Sequence, residues 1–155
     1  EEGDAAGKAC RMVVINLIRP HVKSINYNIA RSIPEISRTT PMPEDTELVN
    51  VYSFKTSNSS NFREVVDALT SAMKKAEGTR ATWYSVIGGA PEVADFFVAV
   101  PFKNFAALDI DQDSVWEIYT KANGKSKTDA LRAKMRASLS SDWSYMQSLN
   151  KELSN

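Results

Sequence analysis

The feature that most constrains the fold of this chain is a faint internal repeat. Residues 5–38 and 122–155 align at an offset of 117 positions, and five apolar residues of the first copy meet other apolar residues in the second: Val14, Ile18, Val22, Ile29 and Ile36. The identical pairs are Ala5/Ala122, Gly7/Gly124, Lys8/Lys125, Arg19/Arg136, Ser24/Ser141, Glu35/Glu152 and Ser37/Ser154. Self-similarity of this kind constrains architecture more strongly than local propensity does. We therefore predict one complete domain at residues 47–155, a linker at 39–46, and the trailing helix and strand of a partial first repeat at 1–38.

The first half of the predicted domain has the pattern strand, helix, strand, strand. Residues 48–55 alternate β-branched and aromatic residues with polar ones, which indicates a half-buried strand. Asn61 and Glu64 have the spacing of a capping box, and an apolar stripe then continues to Gly78, so a helix is predicted there. Two further strands are predicted at 82–87 and 96–100. The residues Gly88-Gly89-Ala90-Pro91 between them are typical of a turn.

The second half adds a helical region and a final strand. Ser114 and Glu117 form another capping box, and that helix is expected to stop at Gly124. Ser126 and Asp129 are predicted to start a further helix, which is followed by a strand around residues 143–146.

The N-terminal copy contributes only a helix and a strand. Val14, Ile18 and Val22 recur every four residues, which predicts one face of a helix. Pro20 is expected to kink or end that helix. A strand is predicted at residues 25–33.

The element order β-α-β-β-α-β predicts the α+β class and a ferredoxin-like split fold, with an antiparallel sheet covered by two helices on one face. The other face must then meet something, since alternate strand residues are apolar. The sequence leaves two sets open for this face: Val49, Val51, Phe97 and Ala99, or Tyr52, Phe54, Phe96 and Val98. Burying either set favours self-association, so a homodimer or larger homo-oligomer is predicted.

Composition excludes several classes of partner. Nineteen basic and nineteen acidic residues leave no net charge, so we expect no nucleic-acid partner. No apolar stretch approaches about 20 residues, so no membrane span is expected. The single Cys10 cannot form an internal disulfide. The sequence begins with Glu1 rather than Met, which a removed leader, proteolysis or an omitted upstream stretch would each explain. Of these we favour a removed leader, and so a periplasmic or secreted protein.

Several motifs resemble an uncharacterised, often exported group of bacterial proteins in the dimeric α/β-barrel superfamily. The stretches that carry the resemblance are VNVYSFKTSNSSNFREVVDALTSAMKKA, WYSVIGG, FFVAVPFKNFAALD and the C-terminal KELS, together with IPEIS at residues 33–37. The resemblance implies a ferredoxin-like fold and a dimer that forms a barrel. It implies no particular reaction, because that superfamily includes cofactor-free monooxygenases, haem-degrading and haem-using enzymes, and members without known activity.

The predicted domain lacks the histidine that haem-degrading relatives use as the ligand of the haem iron. Asn50 and Trp83 match two residues that haem-degrading relatives place around haem, but residues 39–155 contain no histidine. The only histidine, His21, lies in the N-terminal segment, and one ligand cannot specify a site. We therefore expect a surface histidine and no cofactor, with haem binding through His21 kept as a third hypothesis.

A metal site is also not expected. Asp109, Asp111 and Asp113 have the odd-position spacing of a calcium loop, yet Ser114 replaces the turn glycine and Thr120 stands where a bidentate Glu is required. We interpret this stretch as a solvated acidic turn that precedes a helix.

Two main functional hypotheses remain. The first is a non-catalytic oligomerising module that assembles through its sheet face and the appended N-terminal helix and strand. The second is a binder, or a cofactor-free oxygenase, of an apolar or aromatic small molecule. Its predicted ligand-binding residues are Tyr52, Lys55, Trp83 and Tyr84. No spacing pairs a nucleophile with a base, so catalytic residues stay unknown and an enzyme is neither predicted nor excluded.

Overall fold

The protein folds around one antiparallel five-stranded sheet. The computed structural model describes residues 5–25, 27–76, 78, 80–110 and 112–150. Its main elements are α1 (Ala5–Val13), β1 (Asn28–Ser32), β2 (Leu48–Thr56), α2 (Ser59–Ala76), β3 (Thr82–Gly89), β4 (Phe96–Phe102), α3 (Val115–Asn123), α4 (Lys125–Ser138) and β5 (Leu139–Ser148). Repeat positions 152 and 154 and Asp111 lie outside the described residues.

The strand order confirms the predicted fold class. The sheet runs β1-β3-β4-β2-β5, and each neighbouring pair is antiparallel. The four strands β2 to β5, with α2 after the first and α3 and α4 before the last, give the split β-α-β-β-α-β arrangement. In addition, β1 extends the sheet by pairing with β3 at one edge, while β5 forms the other edge.

Helix α2 starts earlier than its sequence pattern predicted. The Asn58 side chain accepts a hydrogen bond from the Asn61 backbone N–H at 3.0 Å, so Asn58 is the capping residue and the helix begins at Ser59. The predicted capping box of Asn61 and Glu64 is therefore wrong. The predicted stop is confirmed, because Gly78 has φ +89° and its amide donates to the Met73 carbonyl at 2.8 Å.

The start of α3 is confirmed, whereas the start of α4 is not. Ser114 accepts from the Glu117 amide at 3.2 Å and the Glu117 carboxylate accepts from the Ser114 amide at 2.7 Å, which completes the predicted capping box. Helix α4 follows directly after Gly124 and has no side-chain cap. The predicted start at Ser126 therefore lies one residue late, and Asp129 pairs with Lys125 at 2.7 Å.

Strand β3 continues through the glycines that were predicted to form a turn. Gly88 pairs with Ile29 and Gly89 with Asn28 on β1. A Cβ atom on Gly89 would lie 3.0 Å from the Asn28 Cβ and 3.1 Å from Val93 Cγ2. Glycine is therefore needed at 89 for close approach of the chain, and the turn prediction at 88–91 is wrong at its first two positions.

The main core lies between α2 and one face of the sheet. Phe62 is fully buried, and its ring centroid lies 5.2 Å from that of Phe54 on β2 and 5.1 Å from that of Phe96 on β4. Trp83 on β3 stacks on Phe54 at 5.7 Å. A second cluster joins α2 to α3 through Ala72, Met73 and Ile118.

The N-terminal segment is fastened to the sheet by its strand. The strand spans Asn28–Ser32, shorter than the predicted 25–33. Ile33 and Ile36 are buried in the same core as Phe62, and the Ser37 hydroxyl accepts from the Trp83 amide at 2.8 Å. Strand β1 belongs to the same sheet as the strands of residues 47–155. The division of the chain into two repeats after residue 38 therefore stays a prediction.

The helix that precedes β1 is exposed. It continues from α1 through a π-helical turn at Val14–Ile18 and a 3₁₀ turn at Arg19–His21. Pro20 lies within this last turn and the helix ends there, as predicted. Within the part of the chain that the structure describes, no helix combines the length and apolar character that crossing a membrane requires.

Candidate functional site: the open face of the sheet

The sheet face opposite α2 carries large apolar side chains, and we term it the open face. The register places Val51 beside Ala99 on β4 and Tyr145 on β5. The same alternation gives the open face the side chains of Val49, Val51, Ser53, Tyr84, Phe97, Ala99, Trp143, Tyr145 and Gln147. Phe54, Trp83 and Phe96 point the other way, into the core. Of the two sets left open by the sequence, Val49, Val51, Phe97 and Ala99 therefore belong to this face.

Aromatic residues from three strands occupy the open face. Tyr84 and Phe97 stack with ring centroids 4.7 Å apart and planes inclined by 14°. Trp143 lies opposite Ser53 and is half-buried, while Tyr145 is 65% exposed. Apolar surface of this kind is typical of interaction sites.

A groove of about 510 Å³ crosses the open face. Val51, Phe97 and Trp143 provide apolar walls, and Val93 and Ala94 from the β3–β4 loop close one side. Ser53, Asn28 and Gln147 add polar groups. The volume falls within the range of small-molecule sites, which is roughly 300–1,000 Å³. The groove is therefore large enough for a small molecule and is lined by both apolar and polar side chains.

Lys55 holds the loop that borders this groove. Its Nζ donates to the Pro91 carbonyl at 2.9 Å, the Val93 carbonyl at 3.1 Å and Asp95 Oδ1 at 3.1 Å. A lysine ammonium has three protons, so each has a protein partner. Lys55 thus positions the loop and leaves no donor for a ligand.

Asp95 also holds the β3–β4 loop in place. Its Oδ2 accepts from the Thr56 amide at 2.7 Å and from the Thr56 hydroxyl at 2.8 Å. Partial burial works to raise the pKa of Asp95, but the hydrogen bonds from Thr56 and the charge of Lys55 outweigh it and hold that pKa below its ordinary value. The carboxylate is therefore ionised at neutral pH and ties the end of β2 to the start of β4.

The four predicted ligand-binding residues divide between the two faces. Tyr84 lies on the open face, and Lys55 projects from the same side beneath the β3–β4 loop. Trp83 packs in the core against Phe54 and Phe62. Tyr52, which is 40% exposed, shares the helix-covered face with Phe54 by the alternation of β2. The structure therefore brings only Lys55 and Tyr84 to one side of the sheet.

Two aromatic groove residues were not among those predicted. Phe97 and Trp143 line the groove, together with the β3–β4 loop. The alternation of Trp143 and Tyr145 along the last strand was a usable signal. However, only the register of β5 against β2 shows that Trp143 and Tyr145 lie on the same face as Phe97.

The possible metal and haem ligands lie apart from the groove. His21 is exposed in the 3₁₀ turn after α1. Asp113 pairs with Lys121, and Asp111 lies outside the described residues. Among the residues that the structure describes, no three His, Cys, Asp or Glu side chains are grouped to hold a metal ion. Haem binding through His21 stays an untested hypothesis.

Fold and site together define a class: an α+β, ferredoxin-like domain with an apolar sheet face that α2 leaves uncovered. No protein-family model matches the sequence, and a comparison with curated proteins finds no match. Among solved structures, the chain is similar to a crystal structure of an anthrone oxidase-like protein, with 12% sequence identity and a TM-score of 0.48. That alignment covers 97% of this chain and 71% of the other. Membership of the dimeric α/β-barrel group stays a prediction from the motifs.

Proposed function

We propose that this chain is a non-catalytic oligomerising module in which two copies pack their open faces together. The observation that carries the proposal is the aromatic surface formed by Tyr84, Phe97, Trp143 and Tyr145, with the core-forming helix α2 on the opposite face. A second copy presents the same apolar surface, so a symmetric contact matches like with like.

The energetic balance makes such a dimer sensitive to single changes. A symmetric contact buries four large side chains from each copy, eight in all, which contributes at most roughly 12–24 kcal/mol at about 1.5–3 kcal/mol each. The gain is smaller than this bound because Tyr84, Phe97 and Trp143 are already half-buried in the single chain. Association costs an estimated 4–15 kcal/mol in lost freedom. Because the two quantities are of the same order, one charge placed in the contact is expected to abolish association at micromolar concentration.

Sedimentation velocity at about 10 µM tests the proposal. We expect a particle of twice the chain mass of 17.2 kDa, and Tyr145→Glu is expected to halve it. Ser144→Glu is the matched control, because it adds the same charge one residue earlier on the opposite face of β5 and should leave the dimer intact. A wild-type monomer, or equal loss of the dimer in both variants, would contradict the proposal.

The groove supports a second candidate function, which is binding of an apolar or aromatic small molecule. Phe97 and Trp143 supply aromatic walls, and Glu92 is the one ionisable side chain in the described lining. This lining favours binding rather than acid–base chemistry.

Titration with 2-naphthol, followed by tryptophan fluorescence, tests this candidate. Saturable quenching is expected for the wild type and is expected to be lost in Trp143→Ala. Trp116→Phe is the control, because Trp116 lies on α3 under Arg132, whose guanidinium carbon is 5.1 Å from the ring centroid. Quenching that persists in Trp143→Ala would place the ligand elsewhere and refute the groove.

A further inference from the structure

The segment before β1 exposes a stripe of apolar residues. Val14, Ile18 and Val22 are 44%, 51% and 36% exposed. Val14 and Ile18 begin and end the π-helical turn, and Val22 follows the 3₁₀ turn in an extended conformation. Met12, Val13, Ile15 and Leu17 of the same segment are exposed as well. Exposed apolar side chains in this number indicate a surface that packs against another element.

The repeat identifies what kind of element that is. At the offset of 117, Val14, Ile18 and Val22 correspond to Leu131, Met135 and Leu139. Met135 and Leu139 pack against the core cluster that contains Phe62 and Val66 of α2. Two of the three residues that correspond to the exposed stripe thus pack α4 and the start of β5 against the cluster that includes α2 in the second copy.

The strands give an independent second correspondence. Residues 28–31 of β1 align with 145–148 of β5. Strand β5 pairs with β2, whereas β1 pairs with β3 and forms an edge of the sheet. Within the described residues, the outer edge of β1 therefore has no strand against it, although the equivalent strand β5 pairs with a β2-type strand.

We propose that residues 5–32 dock onto a second ferredoxin-like unit as its last helix and strand. The stripe of Val14, Ile18 and Val22 packs on the α2-type helix of that unit, and the outer edge of β1 pairs with its β2-type strand. In this chain's own unit, α4 and β5 already occupy those positions, so the partner is a β-α-β-β unit in which they are vacant. Strand β1 then joins two sheets into one. This inference rests on the proposed oligomerising function and specifies the partner of its N-terminal segment.

A chimera tests whether the segment can fill that position. Residues 122–149 are replaced by a copy of residues 5–32, which has the same length, so that the graft faces the chain's own α2 and β2. We expect a folded chimera that unfolds cooperatively on heating, at a lower midpoint than the wild type. The absence of a cooperative transition would overturn the proposal.

Two substitutions inside the graft separate docking from general hydrophobicity. Ile18→Asp places a charge on the docking stripe and is expected to lower the midpoint by roughly a further 5–15 °C. Met12→Asp is the matched control, because Met12 is similarly exposed at 54% and corresponds to Asp129, which is already acidic. A shift within about 2 °C is expected for it. Equal shifts for both substitutions would overturn the proposal.

A second variant shows whether the side chains of the stripe fit on α2. In the natural chain, the triple change Leu131→Val, Met135→Ile and Leu139→Val installs the N-terminal stripe on α4. We expect cooperative unfolding with a midpoint lowered by roughly 5–15 °C. If the triple variant folds and the chimera does not, the segment is not an α4–β5 equivalent. If the triple variant also fails to fold, its stripe does not fit an α2-type helix, and the proposal is again overturned.

The last measurement tests an alternative partner for the exposed apolar stripe, which is an anionic membrane surface. The full chain is sedimented with vesicles of phosphatidylglycerol and phosphatidylcholine. The proposal predicts no cosedimentation, while binding that Ile18→Asp abolishes and Met12→Asp leaves intact would assign the stripe to lipid. Phe97→Glu in the chimera distinguishes the two proposals, because Phe97 belongs to the open face and lies outside the replaced residues. It removes open-face association without changing the effect of Ile18→Asp on the midpoint, so either proposal can fail alone.

Discussion

Replacing Asp95 tests whether the fastening of the β3–β4 loop stabilises the whole fold. Asp95→Ala removes two hydrogen bonds from Thr56 and the ion pair with Lys55. Hydrogen bonds to charged groups contribute about 1.5–3 kcal/mol when buried, and we take about 1 kcal/mol for each because about a third of the Asp95 side chain is exposed. The ion pair adds about 0.2–1 kcal/mol after screening. We therefore expect the free energy of unfolding to fall by about 2–3 kcal/mol at pH 7.

The assay is urea unfolding followed by tryptophan fluorescence, at pH 7 and at about pH 2. The folded-state pKa of Asp95 is depressed, so its contribution is present above the unfolded value of about 3.9 and is lost as the pH falls through the folded value. The difference between wild type and Asp95→Asn should therefore shrink at low pH. Asp67→Asn is the control, since its pair with Arg63 is surface-exposed and 3.7 Å long, and a change of at most about 0.5 kcal/mol is expected. A loss below about 0.5 kcal/mol for Asp95→Ala, or a difference for Asp95→Asn that persists at low pH, would refute the reasoning.

Three further changes probe the core, a backbone conformation and a helix cap, each by chemical denaturation. Phe62→Ala is expected to cost about 3–5 kcal/mol because it empties a fully buried site, whereas Phe105→Ala, 66% exposed, should change stability by less than about 1 kcal/mol. Gly124→Ala should cost about 1–3 kcal/mol because the backbone at 124 has φ +84°, which an alanine rarely adopts. Gly88→Ala is the control: no atom lies near the added Cβ at either position, but φ at 88 is not positive, so stability should change by at most about 0.5 kcal/mol. Ser114→Ala should lower stability by about 1 kcal/mol through loss of the capping hydrogen bond to Glu117, and no measurable loss would contradict that role.

Local patterns were sufficient to predict the order of the elements but not every boundary. The alternation of residues 48–55 and the stripe before Gly78 each report on one element, and both elements are present. The start of α2 was misplaced because Asn58 and Asn61 are both plausible caps, and only the bent chain before Ser59 decides between them. Gly88 and Gly89 were read as a turn since their pairing partner is β1, about 60 positions earlier in the chain.

The candidate site was predicted less well because it depends on which face each strand turns to the helices. Trp83 and Tyr84 are adjacent, so period-two alternation places them on opposite faces without saying which is which. The packing of Phe62 against Phe54, Trp83 and Phe96 shows that Trp83 is the residue that faces the helix. This cluster brings together α2 and three strands, so local sequence patterns do not reveal it. Lys55 looked available for a ligand because its three acceptors lie 36 to 40 residues away along the chain.

The position of β2 in the sheet has a consequence for how the polypeptide matures. One flank of β2 is covered by β4, but its other flank pairs with β5, from Leu48 with Ser148 to Thr56 with Leu139. During synthesis, this interior strand keeps an uncovered edge until nearly a hundred later residues have been made. Newly made chains are then most prone to aggregate. Closure of such a distant pair is also intrinsically slow, so folding is expected to be limited by the arrival of the last strand.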